Sequence, residues 1–109
     1  MSKYYSVIYS SKARNDLKEI YSYISLSLLE PLTAQNQVNK IRRTIETLDF
    51  MPFKYPIVDL EPWKSKSIHK VPVDNFIIFY TIDEKKLIVT IIRIVYGGQN
   101  IANITTDSN

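Results

Sequence analysis

The spacing of apolar positions changes character twice along this chain. Ala13, Leu17, Ile20, Ile24 and Leu28 lie four, three, four and four residues apart, which draws one apolar stripe down a helix. Ala34, Val38, Ile41, Ile45 and Leu48 repeat at four, three, four and three and draw a second stripe. Pro31 stands between them, where it ends the first helix and suits the opening turn of the next. Two stripes joined by a tight proline turn predict an antiparallel helical hairpin. Ahead of it, Tyr4 to Tyr9 alternates well enough for a short strand, and Ser10-Ser11 supplies hydroxyls suited to an N-cap.

Beyond the hairpin the period is lost and then returns as alternation. Phe50 to Lys66 contains Pro52, Pro56 and Pro62, and its aromatics Phe50, Phe53, Tyr55 and Trp63 predict a packed loop rather than a disordered one. Three strands are then predicted over Ile68 to Val73, Phe76 to Ile82 and Leu87 to Tyr96. Asp74-Asn75 fits a two-residue turn between the first pair, and Asp83 to Lys86 a longer one between the second. The order is β-α-α-β-β-β, an α+β fold with an antiparallel sheet against a helical hairpin. The last strand is apolar on both sides, with Leu87, Val89, Ile91 and Val95 alternating against Ile88, Ile92 and Ile94. One hairpin covers one sheet face, so the second calls for the proline-rich loop or a protein partner.

Composition narrows the chemistry. At 109 residues, 45% of them hydrophobic and two of them glycine, the chain is expected to be a single domain over residues 1–109, with a frayed polar tail at 105–109. With no cysteine there is no disulfide, thiolate metal site or cysteine nucleophile, and one histidine makes a histidine metal site or a Ser-His-Asp triad a poor fit. No metal or cofactor is expected. No signal-peptide core opens the chain, and the apolar run from Leu87 to Val95 is interrupted by Thr90 and Arg93. A cytoplasmic protein without a membrane partner is the expectation. The net charge of +3 and a pI near 9.1 suit an acidic partner or a nucleic acid without choosing between them.

Arg93 is the residue most in need of explanation, a cation inside an apolar strand that closes on Tyr96, Gly97 and Gly98. It is either paired with a carboxylate or backbone carbonyls, or turned to a groove that receives an anion. Alternation puts Tyr96 on the opposite face unless the strand bulges near Gly97. His69 and Lys70, with Lys64 and Lys66, could line a basic rim, although lysines guarding a solvated strand edge account for them as well. Lys12, Arg14, Lys18, Lys40, Arg42 and Arg43 are expected on solvated helix faces, with Asp16, Glu19 and Glu46 pairing locally among them.

Four segments together resemble the RelE/ParE toxin superfamily. They are Ser11 to Ile24, Ile45 to Leu48 with Pro52 and Pro56 after it, Val71 to Glu84, and Ile91 to Gly97 with Arg93 on the family's common arginine. The resemblance spans about residues 4–101 in the right order. It implies the toxin of a type II toxin–antitoxin pair, neutralised by a small acidic antitoxin that would supply the missing layer over Ile88, Ile92, Ile94 and Arg93. Two activities occur in the superfamily. ParE-like members act on DNA gyrase, and RelE-like members cut mRNA on the ribosome with basic residues plus a tyrosine or histidine. The long hairpin leans towards ParE, as do Ile77, Gly98 and Gln99, which stand where cations are frequent. In the alternative, RelE-like reading, Arg93, Tyr96, His69 and Lys70 would be the catalytic set. A degenerate toxin that only binds protein is a third expectation.

Overall fold

The computed structural model of the protein describes residues 4–98. Strand β1 is Ser6–Tyr9, α1 is Ser11–Ser22 and α2 is Pro31–Glu46. Strands β2, His69–Val73, β3, Phe76–Asp83, and β4, Ile88–Tyr96, follow the loop. The predicted element order therefore stands, and both helices pack on one face of a four-stranded sheet ordered β1-β4-β3-β2. The three C-terminal strands are the antiparallel meander that alternation predicts, whereas β1 joins β4 in parallel, so the sheet as a whole is mixed. The expected frayed tail at 105–109 lies outside the described residues, as does Gln99.

Ser10 starts α1 in the predicted way, and its hydroxyl does a second task. Its Oγ accepts from the Ala13 amide at 3.0 Å and donates to the Ile92 carbonyl at 2.9 Å, so one side chain caps the helix and ties it to β4. The apolar stripe of α1 stays buried through Ala13, Leu17 and Ile24 and then fails. Residues Tyr23–Ser27 form a wider π turn, closed by the Leu28 amide on the Tyr23 carbonyl. The extra residue per turn rotates Leu28 off the packed face, and it is 52% exposed. Pro31 opens α2 as expected, and Ala34, Val38, Ile41 and Ile45 are all buried.

The faces of β4 differ from simple alternation. Tyr80 pairs with Ile91 while Phe79 pairs with Arg93, which leaves Ile92 as an extra residue in a bulge. The bulge, expected near Gly97, falls five positions earlier in the register and moves everything after it to the opposite face. Val89, Ile91 and Ile94 consequently share the helix-side core with Ile78, Tyr80 and Val71. Val95 turns to the other side, where Val58, Trp63 and Ile68 from the loop and its exit close over Phe79. Phe79 is 0% exposed and Val95 4%, so the second sheet face is covered by the chain's own proline-rich loop, one of the two covers expected for it, while Ile94 at 1% lies on the helix side and Ile92 at 5% sits in the bulge. Ile88 is half-buried at the start of β4.

The loop is held by specific bonds. Tyr80 donates its hydroxyl to the Pro52 carbonyl at 2.7 Å, His69 Nδ1 donates to the Tyr55 carbonyl at 2.7 Å, and the Lys70 amide bonds to the Pro56 carbonyl at 3.0 Å. At the β2–β3 turn, Asp74 takes φ of 54° and is tethered to α2 by Lys40 Nζ at 2.9 Å and by Gln37. Lys40, expected to be solvated, thus belongs to a pair that holds the hairpin against the helices, and its bond lowers the Asp74 carboxyl below its ordinary value.

Candidate functional site

Strand β1 ends at Tyr9, opposite Ile91, so the second half of β4 has no strand on its outer edge. Helix α1 fills that place. Ser10 Oγ serves the Ile92 carbonyl, and the Asp16 carboxylate receives the Ile94 amide at 2.9 Å. The same carboxylate takes Arg93 Nε on Oδ2 at 2.8 Å and Nη2 on Oδ1 at 3.0 Å, a bidentate fork. Asp16 therefore accepts three bonds, which explains how a carboxylate with a side chain 9% exposed is tolerated beside an arginine at 19%. The bond to Asp16 raises the Arg93 pKa further, against the opposing effect of burial. Arg93 is thus the paired arginine of the two alternatives, and Asp16 its unanticipated partner. Asp16 had been grouped with the solvated helix charges, and its burial corrects that assignment.

Of the remaining candidate residues, His69 and Lys70 lie away from Arg93, while Tyr96 lines a groove with it. His69 is buried, stacked on Tyr80 with ring centroids 5.2 Å apart and edge-on to Phe53 at 5.9 Å, a packed position under the loop. Lys70 is exposed and shares a register row with Phe79 and Arg93, two strands away from the arginine, or about 10 Å. Tyr96 is exposed, lies edge-on to Phe76 and pairs with it in the register. Since His69 pairs with Tyr80, His69 and Tyr96 are four rows apart along the strands, ~13 Å, and two strands apart across the sheet. A phosphoryl-transfer site needs its acid, base and cation within bonding reach of one phosphate, and this set spans the width of the sheet. Of the proposed basic rim, Lys64 faces Asp59 at 3.3 Å.

What does converge is a groove. The end of α1, the π turn and the start of α2 form one wall, and the last residues of β4 with the β2–β3 turn form the other. Its volume is about 720 Å³, and Ile20, Tyr23, Ile24, Leu28, Phe76 and Tyr96 give it an apolar lining. Arg93, Asp16 and Glu19 stand along one side of it. Tyr23, Leu28 and Tyr96 are all more than half exposed, an unusual concentration of large apolar groups on a surface. Gly98, just past β4, lies close to the Tyr96 ring, where a Cβ would stand 2.6 Å from it. Among the described residues no helix is long and apolar enough to cross a membrane.

Known proteins share this architecture. The chromosomal ParDE system of P. aeruginosa superposes with a TM-score of 0.69 at 20% identity, over 84% of this chain and 95% of that one. The RelBE2 toxin–antitoxin complex of Mycobacterium tuberculosis gives 0.60 at 17% identity, covering 86% and 92%. The RelE–RelB complex of Pyrococcus horikoshii gives 0.60 at 12% identity, covering 88% and 98%. At these identities the likeness establishes the fold. No curated protein matches the chain by sequence. The sequence profile described as the ParE toxin of the type II toxin–antitoxin system parDE matches residues 7–101, nearly the whole chain. The protein belongs to the ParE toxin family of type II toxin–antitoxin systems.

Proposed function

We propose that this toxin acts in the cytoplasm on DNA gyrase and is silenced by a small acidic antitoxin seated in the groove between α1 and the end of β4. The observation that carries the antitoxin reading is the groove itself, with half-exposed Tyr23, Leu28 and Tyr96 around a volume of about 720 Å³. An amphipathic segment laid there would bury those side chains, and a net charge of +3 favours an acidic one. Solved relatives include a ParDE system and two toxin–antitoxin complexes, which supports an antitoxin partner for this chain. Membership of the ParE family supports gyrase over the ribosome, and so does the separation of His69 and Lys70 from Arg93 and Tyr96.

The antitoxin site assigned from the sequence to Ile88, Ile92 and Ile94 moves with the bulge. Ile92 and Ile94 are sealed inside the chain, so the binding surface proposed now is the outer lining of the groove, with Arg93 at its side. Tyr23→Glu with Leu28→Glu is expected to weaken the toxin–antitoxin complex about ten-fold or more at an unchanged melting temperature, since both side chains are exposed. Ile94→Glu is expected to unfold the domain instead. For the target, purified toxin is expected to inhibit gyrase supercoiling and to recover on addition of antitoxin. Primer extension revealing codon-spaced mRNA cuts that disappear in Tyr96→Phe would overturn the gyrase reading in favour of an endonuclease.

A further inference from the structure

A second groove lies between α1 and α2 on their outer side, away from the sheet, with a volume of about 530 Å³. Its rim is built from Lys18, Tyr21 and Ser22 of α1 and Gln35, Asn39 and Arg42 of α2. Every one of these groups can donate a hydrogen bond, two are cations, and no carboxylate lines the groove. Arg14 stands one turn before Lys18 on the same helix face and is exposed, while Glu46 lies one turn beyond Arg42, outside the lining. None of the ion pairs among the described residues uses Arg14, Lys18 or Arg42. Gln35 Nε2 donates to Asn39 Oδ1 at 3.0 Å, which fixes both amides along α2.

We propose that this outer groove binds the sugar–phosphate backbone of a nucleic acid. Lysine, arginine, serine, asparagine, glutamine and tyrosine are the side chains that make backbone contacts to phosphates, and the rim holds one of each. An acidic polypeptide is the rival occupant, and the floor argues against it. Leu17 and Val38 beneath the rim are only 5% and 6% exposed, so apart from the Tyr21 ring, itself suited to phosphate contacts through its hydroxyl, a peptide would find little apolar seat and would gain chiefly from charge. Phosphates need no such seat. The groove opens on the helices' outer side, so its use does not depend on the antitoxin site.

The test is fluorescence anisotropy of the purified toxin with a short scrambled DNA duplex and, separately, an RNA hairpin of equal length at low salt. Lys18→Glu with Arg42→Glu is expected to weaken binding about ten-fold and to lower the salt slope by about two, at an unchanged melting temperature. Lys85→Glu with Lys86→Glu, in the exposed β3–β4 turn, changes the net charge equally and is expected to leave most of the affinity in place. Preference between the two probes identifies the natural polymer. Equal losses in both double variants would reduce the effect to net charge and overturn the site. So would an absence of binding, or competition by poly-L-glutamate as strong as by the duplex, which would assign the groove to an acidic polypeptide.

Discussion

Because Asp16 accepts from Arg93 twice and from the Ile94 amide once, removing either partner strands the other in a largely dry place. Arg93→Ala should cost about 3 kcal/mol of stability in urea titration, and Arg93→Lys a substantial part of that, since an ammonium cannot bridge both oxygens. A loss under ~1 kcal/mol would class the pair with ordinary surface ion pairs. The consequence for function is practical: loss of toxicity in Arg93→Ala reports on folding before it reports on catalysis. The pair was half legible in the sequence. That Arg93 needs a partner follows from its strand, but Asp16 is hidden among Lys12, Arg14 and Lys18, which satisfy a carboxylate on paper. Helical phase held the missing signal, for Ala13, Asp16, Leu17 and Ile20 follow the spacing of a buried stripe with one carboxylate inside it. A second residue-scale effect concerns pH. Burial raises the Tyr80 hydroxyl well above its ordinary value of 10.0 and raises Tyr9 as well, with Arg42 and Glu46 acting on the latter in opposite senses. With the folded pKa raised, the contribution of Tyr80 is complete below pH 10.0 and is lost as pH rises past it. Stability should therefore fall above that pH by about 1.4 kcal/mol per unit for Tyr80 alone, and Tyr80→Phe should flatten the slope.

The elements were read correctly in kind and order because each is long and strongly periodic, and the errors fall where one residue is inserted. The π turn adds a residue to the end of α1 and throws Leu28 outward, while the bulge adds Ile92 to β4 and exchanges the faces of Ile94 and Val95. Neither insertion alters the apolar count, so the pattern of residue types gives no sign of either. Both nevertheless shape the groove, since Leu28 forms one wall and Ile94 with Tyr96 the other. The hairpin turn carries a further cost. Leu29 has φ of 55°, a left-handed conformation disfavoured for a branched apolar residue, and it is 79% exposed. Leu29→Asn keeps the turn with a residue suited to it and gives up almost no packing. It should stabilise the isolated domain by about 0.5–1 kcal/mol and raise the melting temperature by a few degrees. If the turn is retained because Leu29 touches a partner, the same variant should weaken that partner's binding while the free toxin gains stability. A variant less stable than the parent would show that Leu29 packs in a way its exposure conceals.

At the scale of the whole molecule, the question is whether the toxin needs its antitoxin to complete its core. One helical hairpin against one sheet leaves a face uncovered, which calls for either the proline-rich loop or a protein partner as the second layer. The structure fills the face from within: Trp63 is 1% exposed against Phe79, with ring centroids 4.4 Å apart, and Val58, Ile68 and Val95 surround them. A loop with three prolines has no period from which the docking geometry follows, though its aromatics mark it as packed and make it one of the two candidates for the cover. The antitoxin proposed above then belongs in a surface groove rather than in the core, and the two arrangements make opposite predictions. As the only tryptophan in the chain, Trp63 reports on the loop face alone. With a self-contained core, its emission should be blue-shifted in the free toxin, should change little when antitoxin is added, and should move to the red in the same urea transition that abolishes the circular dichroism of the helices. Trp63→Ala should cost about 3–5 kcal/mol with or without the antitoxin. Emission that is red-shifted in the free protein and moves to the blue only on complex formation would restore the antitoxin as the missing layer of the core. In that case the groove beside Arg93 would not be its principal seat.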